Sequence, residues 1–131
     1  MTIQGRLLMV AAMVESLAGL ALILVPGAAA ALLLGAEPDS VGLMIGRVGG
    51  FGLLSLGIAC WGARTDKGGA ARTGTLAAIT LYNFGAGILL AVFAATGKAQ
   101  GIAVWGAAVL HLLLALGFAF SLRRPEHASS A

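Results

Sequence analysis

The sequence predicts an all-α integral membrane protein: a four-helix bundle with one short interfacial helix between its first two spans. Three observations lead there. Of 131 residues, 60% are hydrophobic and only 10% are charged, whereas a soluble domain carries about a quarter charged residues; mean hydropathy is +1.00. The apolar residues gather in four runs, residues 7–25, 41–62, 75–96 and 102–122, each near the roughly 20 residues that a helix needs to cross the hydrocarbon. The third observation is where the breakers fall: Pro26, the stretch GAEPDS, the stretch ARTDKGGAART and the turn around Lys98 all lie between runs. Lipid offers backbone groups no partners, so each run closes its hydrogen bonds as a helix. Abundant Ala, Leu and Gly without strict alternation argues against barrel strands.

Span one follows Arg6 and carries Glu15 at its centre, in AAMVESLAG. Its basic start and the small residues after Pro26 also fit a cleaved signal peptide. The length of the run and the acid inside it favour a retained span. The first connection, PGAAAALLLGAEPDS, opens on a helix breaker and continues with apolar residues 28–34, too few to span. These are expected to form a short helix in the outer interface or against the bundle. Asp39 or Ser40 can then cap span two. Span two places Gly42, Gly46 and Gly50 at four-residue spacing, with Gly49 and Gly57 on nearby faces. Small residues so spaced let helix backbones approach in lipid, within one chain or between copies. Spans three and four follow, and residues 123–131 form a polar tail. The whole chain reads as one transmembrane domain.

Charge sets the expected orientation. Arg6, Arg64, Lys67, Arg72, Arg123 and Arg124 fall on one side of a four-span chain, and Lys98, Glu37 and Asp39 on the other. The positive-inside rule makes both termini cytoplasmic, in a bacterial inner membrane. Trp61 and Trp105 sit at span ends, where interfacial aromatics anchor helices. The net charge of +3 is spread over span ends and forms no single patch, so nucleic acid is not an expected partner. The expected partners are the bilayer and either further copies of the chain or a larger membrane complex.

Each span holds one strongly polar residue away from its ends: Glu15, Arg47, Asn83 and His111. Such groups are costly in hydrocarbon and turn toward a protein interior or a wet cavity. Ala11 and Gly19 flank Glu15 at four-residue spacing, Gly87 follows Asn83, and Ala107 and Ala115 flank His111. The polar groups therefore share faces with small residues. The expectation is a buried polar cluster or ligand and proton site of Glu15, Arg47, Asn83 and His111. Within it, Glu15 either pairs with Arg47 or holds a proton or ligand; Arg47 alternatively extends to the outer interface.

Catalytic and cofactor chemistry find little to use. Cys60 is the single cysteine, which rules out an intrachain disulfide. The spans offer Glu15, Cys60 and His111 on three helices, a poor set for zinc or iron. One span histidine is too few for a bis-histidine haem within the chain. No span carries a lysine for a Schiff base, and no glycine-rich phosphate loop sits between a strand and a helix. No metal or cofactor and no enzymatic activity are expected.

The stretch GRVGGFGLLSLGIACWGAR, residues 46–64, resembles small bacterial four-helix membrane proteins of the DoxX-like kind. It has an Arg near the start of the span, a glycine pair, Leu-Gly and a Trp-Arg edge. Some of those proteins are associated with oxidoreductase complexes and quinone chemistry, so the resemblance implies an accessory membrane subunit. The layout is also similar to small multidrug resistance transporters, four-span dimers with a central acid in the first helix. That resemblance implies a proton or a cationic drug bound at Glu15. Here TLYNFGAG in span three departs from that family's aromatic-glycine signature, the loops are longer, and Arg47 is present. The expected function is a non-catalytic accessory or interaction subunit. The alternative is a proton-coupled transporter of small lipophilic or cationic molecules using Glu15.

Overall fold

Thr2 starts the first helix: its hydroxyl accepts from the Gly5 amide at 3.1 Å, satisfying one of the donors that a helix start leaves open. From there the computed structural model, which describes residues 1–122, runs through five helices with no strand among the described residues. They are α1 (Ile3–Leu24), α2 (Pro26–Leu34), α3 (Ser40–Ala63), α4 (Ala70–Ala95) and α5 (Val104–Leu122). α1, α3, α4 and α5 are long and apolar enough to cross a membrane. The expected polar tail, with Arg123 and Arg124, lies outside the described residues.

Local chemistry sets the boundaries. Pro26 takes the first position of α2, where its missing N–H costs nothing. Asp39 caps α3, accepting from the Gly42 amide at 2.8 Å. Gly68 and Gly69, at φ of 146° and 114°, turn the chain into α4. α1 and α4 each begin four or five residues before the apolar runs at 7 and 75. Those extra turns carry Gln4, Arg6 and Arg72, polar residues that hydropathy assigns to loops but that continue the helix beyond the hydrocarbon. At 26 residues, α4 is about 39 Å long, longer than the ~30 Å apolar layer.

The bundle is two helix pairs. α1 packs most closely on α3, and α4 on α5; α3 against α4 and α1 against α5 close the ring more loosely. Where α1 meets α3, a Cβ on Gly19 would lie 2.7 Å from the Gly50 carbonyl, and one on Gly50 would lie 2.7 Å from the Gly19 carbonyl. Gly57 lies against Ser16 and the Ala12 backbone on the same seam. Within the chain the three spaced glycines differ in what they meet. Gly50 is at the contact, Gly46 touches Pro26 and Leu22 only at ordinary distances, and Gly42 packs on its own cap residues Pro38 and Asp39. A seven-residue step, Gly50 to Gly57, keeps the seam facing α1 as the two helices run antiparallel.

The core of Leu8, Ala11, Ala12, Cys60, Leu76, Ile79, Leu114 and Phe118 fills the space between the pairs. Outward side chains are apolar and open, with Leu17 67%, Leu81 73% and Leu116 66% exposed, as a lipid-facing surface requires. One end of the bundle is closed by polar bonds. Arg72, 5% exposed, donates to Gln4 Oε1 at 2.9 Å, and the Gln4 amide donates to the Ser121 carbonyl at 3.1 Å. Arg64 stacks over Trp61 at 3.7 Å beside this end. At the other end, α2 lies against α1, α3 and α5. The amides of Gln100 and Ala103 donate to the carbonyls of Leu34 and Leu32 at 3.0 and 3.1 Å, so the α4–α5 turn caps α2. Gly101 lies directly on the Leu32 and Leu33 backbone, where any side chain would collide.

Gly50→Leu is expected to lower unfolding stability in mixed micelles by about 2 kcal/mol through overpacking. Gly52→Leu, where a Cβ meets nothing within 4 Å, is expected to change it by less than about 0.5 kcal/mol.

Candidate functional site

Glu15 and Asn83 are both 0% exposed, and they meet across the bundle from opposite helix pairs. The Asn83 amide nitrogen donates to Glu15 Oε1 at 3.3 Å and to the Ile79 carbonyl, one turn back on its own helix, at 2.9 Å. Because a backbone carbonyl only accepts, the Ile79 bond fixes which end of the amide is nitrogen. The Asn83 oxygen then faces His111 Nδ1 at 2.8 Å. His111 must donate there, which assigns its proton to Nδ1. The arrangement is a directed chain, His111 to Asn83 to Glu15, spanning α5, α4 and α1.

Small residues make room for it. Gly87, one turn after Asn83, lies against Leu112 of α5, where a Cβ would come within 2.8 Å. That close approach carries position 111 to Asn83. Ala11 and Gly19, buried on the face of Glu15, similarly let neighbouring helices close around the acid. The Tyr82 ring meets the His111 ring edge to face, with centroids 5.7 Å apart and planes at 82°.

Arg47 lies apart from this cluster. It is exposed and forms neither a hydrogen bond nor an ion pair with any described residue. The reason is angular. Met44 and Phe51, one turn away on either side, and the adjoining Val48 are exposed too, while Gly46, Gly50 and Leu54 turn inward. Arg47 is seven residues from the start of α3, about 10 Å along the helix, within reach of the interface for its flexible stem. The structure therefore brings Glu15, Asn83 and His111 together and leaves Glu15 without a cationic partner among the described residues. Its second oxygen, Oε2, is buried with no hydrogen bond.

The chain of bonds limits the chemistry. An amide passes a proton only by rearranging to an unfavourable tautomer, so Asn83 is a bridge that couples Glu15 to His111 electrostatically rather than a ready proton wire. Among the described residues no group of three His, Cys, Asp or Glu side chains is placed to hold a metal. Cys60 is buried in the core beside Leu8 and Phe118, a packing position. Sequence reasoning missed the Thr2, Gln4 and Arg72 network, because it treated Arg72 as a loop charge. It also had no signal for the placement of α2 over a cavity that His111 and Tyr82 line.

Asn83→Leu removes the bridge and strands both Glu15 and His111. A loss of about 2 kcal/mol is expected in reversible unfolding in mixed micelles. Arg47→Gln is expected to change the same measurement by less than about 0.5 kcal/mol. No family model, curated protein or solved structure matches this chain, so its functional reading rests on geometry.

Proposed function

We propose that this chain is a non-catalytic accessory or interaction subunit of a bacterial inner membrane, assembled with further copies of itself or within a larger membrane complex. The observation that carries this is the outward face of α3. Gly52, Ser55, Ala59 and Gly62, spaced three, four and three residues apart, are all exposed. A Cβ at Gly52 or Gly62 would meet nothing within 4 Å. Small residues so spaced let a second helix approach closely in lipid, and this face is separate from the Gly50–Gly57 seam spent on α1. The resemblance of residues 46–64 to DoxX-like proteins agrees with an accessory role. Within the subunit, Glu15, Asn83 and His111 hold the two helix pairs in register.

The proposed orientation puts both termini in the cytoplasm. Arg6, Arg64, Lys67 and Arg72 lie at or beside the end closed by the Gln4–Ser121 bond. The α2 end has Glu37, Asp39 and Lys98. The bias toward one end is what supports this orientation.

A second reading, proton-coupled transport of a small lipophilic or cationic molecule, is favoured by one feature: Glu15 has no cationic partner and keeps an unbonded oxygen. Two experiments separate the readings. Native purification and cross-linking should recover a stable assembly that Gly52→Leu weakens at least tenfold without unfolding the monomer. A wild-type chain that runs alone sinks the interaction reading. Glu15→Gln keeps the acceptor toward Asn83 and should stay folded; undiminished proton-coupled uptake by this variant in proteoliposomes sinks the transport reading.

A further inference from the structure

We propose that the cavity under α2 binds a small lipophilic molecule bearing a hydroxyl group, and that His111 Nε2 accepts its hydrogen bond. All five helices contribute to this partly open cavity of about 470 Å³, within the roughly 300–1,000 Å³ of small-molecule sites. Its walls are apolar, with Leu22, Leu33, Leu53 and Leu90 prominent, and its polar side chains are His111 and Tyr82. This is the composition of a site that binds by burial and orients by one or two polar contacts.

The polar contact has a defined sense. Ile79 fixes the Asn83 amide, the amide oxygen takes the proton of Nδ1, and a neutral imidazole then offers Nε2 only as an acceptor. Nε2 has no hydrogen-bond partner among the described residues. At His111 a ligand that donates is therefore matched, and one that only accepts is not. The edge-on contact with Tyr82 holds the ring in this orientation. An alcohol or a phenol satisfies both demands. An acyl chain satisfies only the apolar one. This inference is independent of the oligomeric reading, since none of the lining residues lies on the open face of α3.

The test uses the whole chain in phosphatidylcholine vesicles and a photoreactive long-chain alcohol, with its methyl ether as control. The alcohol should label peptides of α2 and α5 about fivefold more than the ether, the worth of one net hydrogen bond. His111→Phe should reduce alcohol labelling to the ether's level, and Ala29→Leu, which narrows the cavity without touching the cluster, should suppress both. Nitrogen-15 spectra of His111, assigned against His127 with a His127→Gln variant, should show the proton on Nδ1, with the Nε2 resonance moving when the alcohol is added. Equal labelling by alcohol and ether, labelling that survives Ala29→Leu, or a proton found on Nε2 would each overturn the proposal. Should His111→Phe fail to fold, the Ala29→Leu labelling and the spectra decide.

Discussion

A carboxyl group in the middle of a membrane helix finds no partner in lipid, so the helices must enclose it and another side chain must bond it. The contact between Glu15 and Asn83 meets that requirement, and much of the bundle is arranged around it. The two residues belong to different helix pairs, and apart from the Arg72–Gln4 bond at one end α1 and α4 otherwise meet through the apolar core between the pairs. Dispersion between such surfaces is tolerant of sliding, because lipid tails are as apolar as leucine. A directed bond is not tolerant: it is made only when α1 and α4 sit at one depth and one rotation. His111 extends the same constraint to α5. Three of the four spans are thus keyed to a single amide, which the Ile79 carbonyl in turn holds in orientation.

The remaining span, α3, is held by shape instead. Gly50 and Gly57 bring its backbone against α1, and the matching surface on α1 is Gly19, Ser16 and Ala12. Polar keying on one side and close backbone packing on the other divide the work between the pairs. Arg47 takes part in neither. It rides on the lipid-facing flank of α3 near the α2 end, which leaves Asn83 as the side chain that bonds Glu15 among the described residues. The consequence for function is direct. A residue held by a guanidinium would be fixed in one state, whereas an acid bonded to a neutral amide can change its protonation without breaking an ion pair.

Much of this architecture is legible in the sequence. Run length gives the four spans, because the hydrocarbon imposes a minimum length on any helix that crosses it. The short helix after Pro26 is legible for the converse reason: residues 28–34 are apolar but too few. Glu15, Asn83 and His111 are recognisable as inward residues from their small neighbours at four-residue spacing. Other features are not readable in this way. The rotation of α3 decides which of Gly42, Gly46 and Gly50 meets the α1 backbone within the chain, and of the three only Gly50 does. Arg47 also has a small residue, Gly50, one turn away, but the exposed Met44, Val48 and Phe51 beside it place it on the outer face. Arg72 is hidden from hydropathy because a helix that outruns the membrane carries its charge with it.

The clasp between α2 and the turn before α5 has a bearing on how the molecule comes to be assembled. The carbonyls of Leu32 and Leu34 receive their partners from Gln100 and Ala103, nearly seventy positions later in the chain. During synthesis α1 and α3 can associate along their glycine seam as soon as both have inserted, but α2 keeps open carbonyls until the third long helix has crossed and the chain has turned back. Until then the short helix has only its packing on α1 and α3. It is seated by the final hairpin, with Gly101 the only side-chain type that lets that hairpin settle onto it. The last event of assembly is then the closing of the α2 end, which makes the roof of the partly open cavity beneath it the last of its walls to be set.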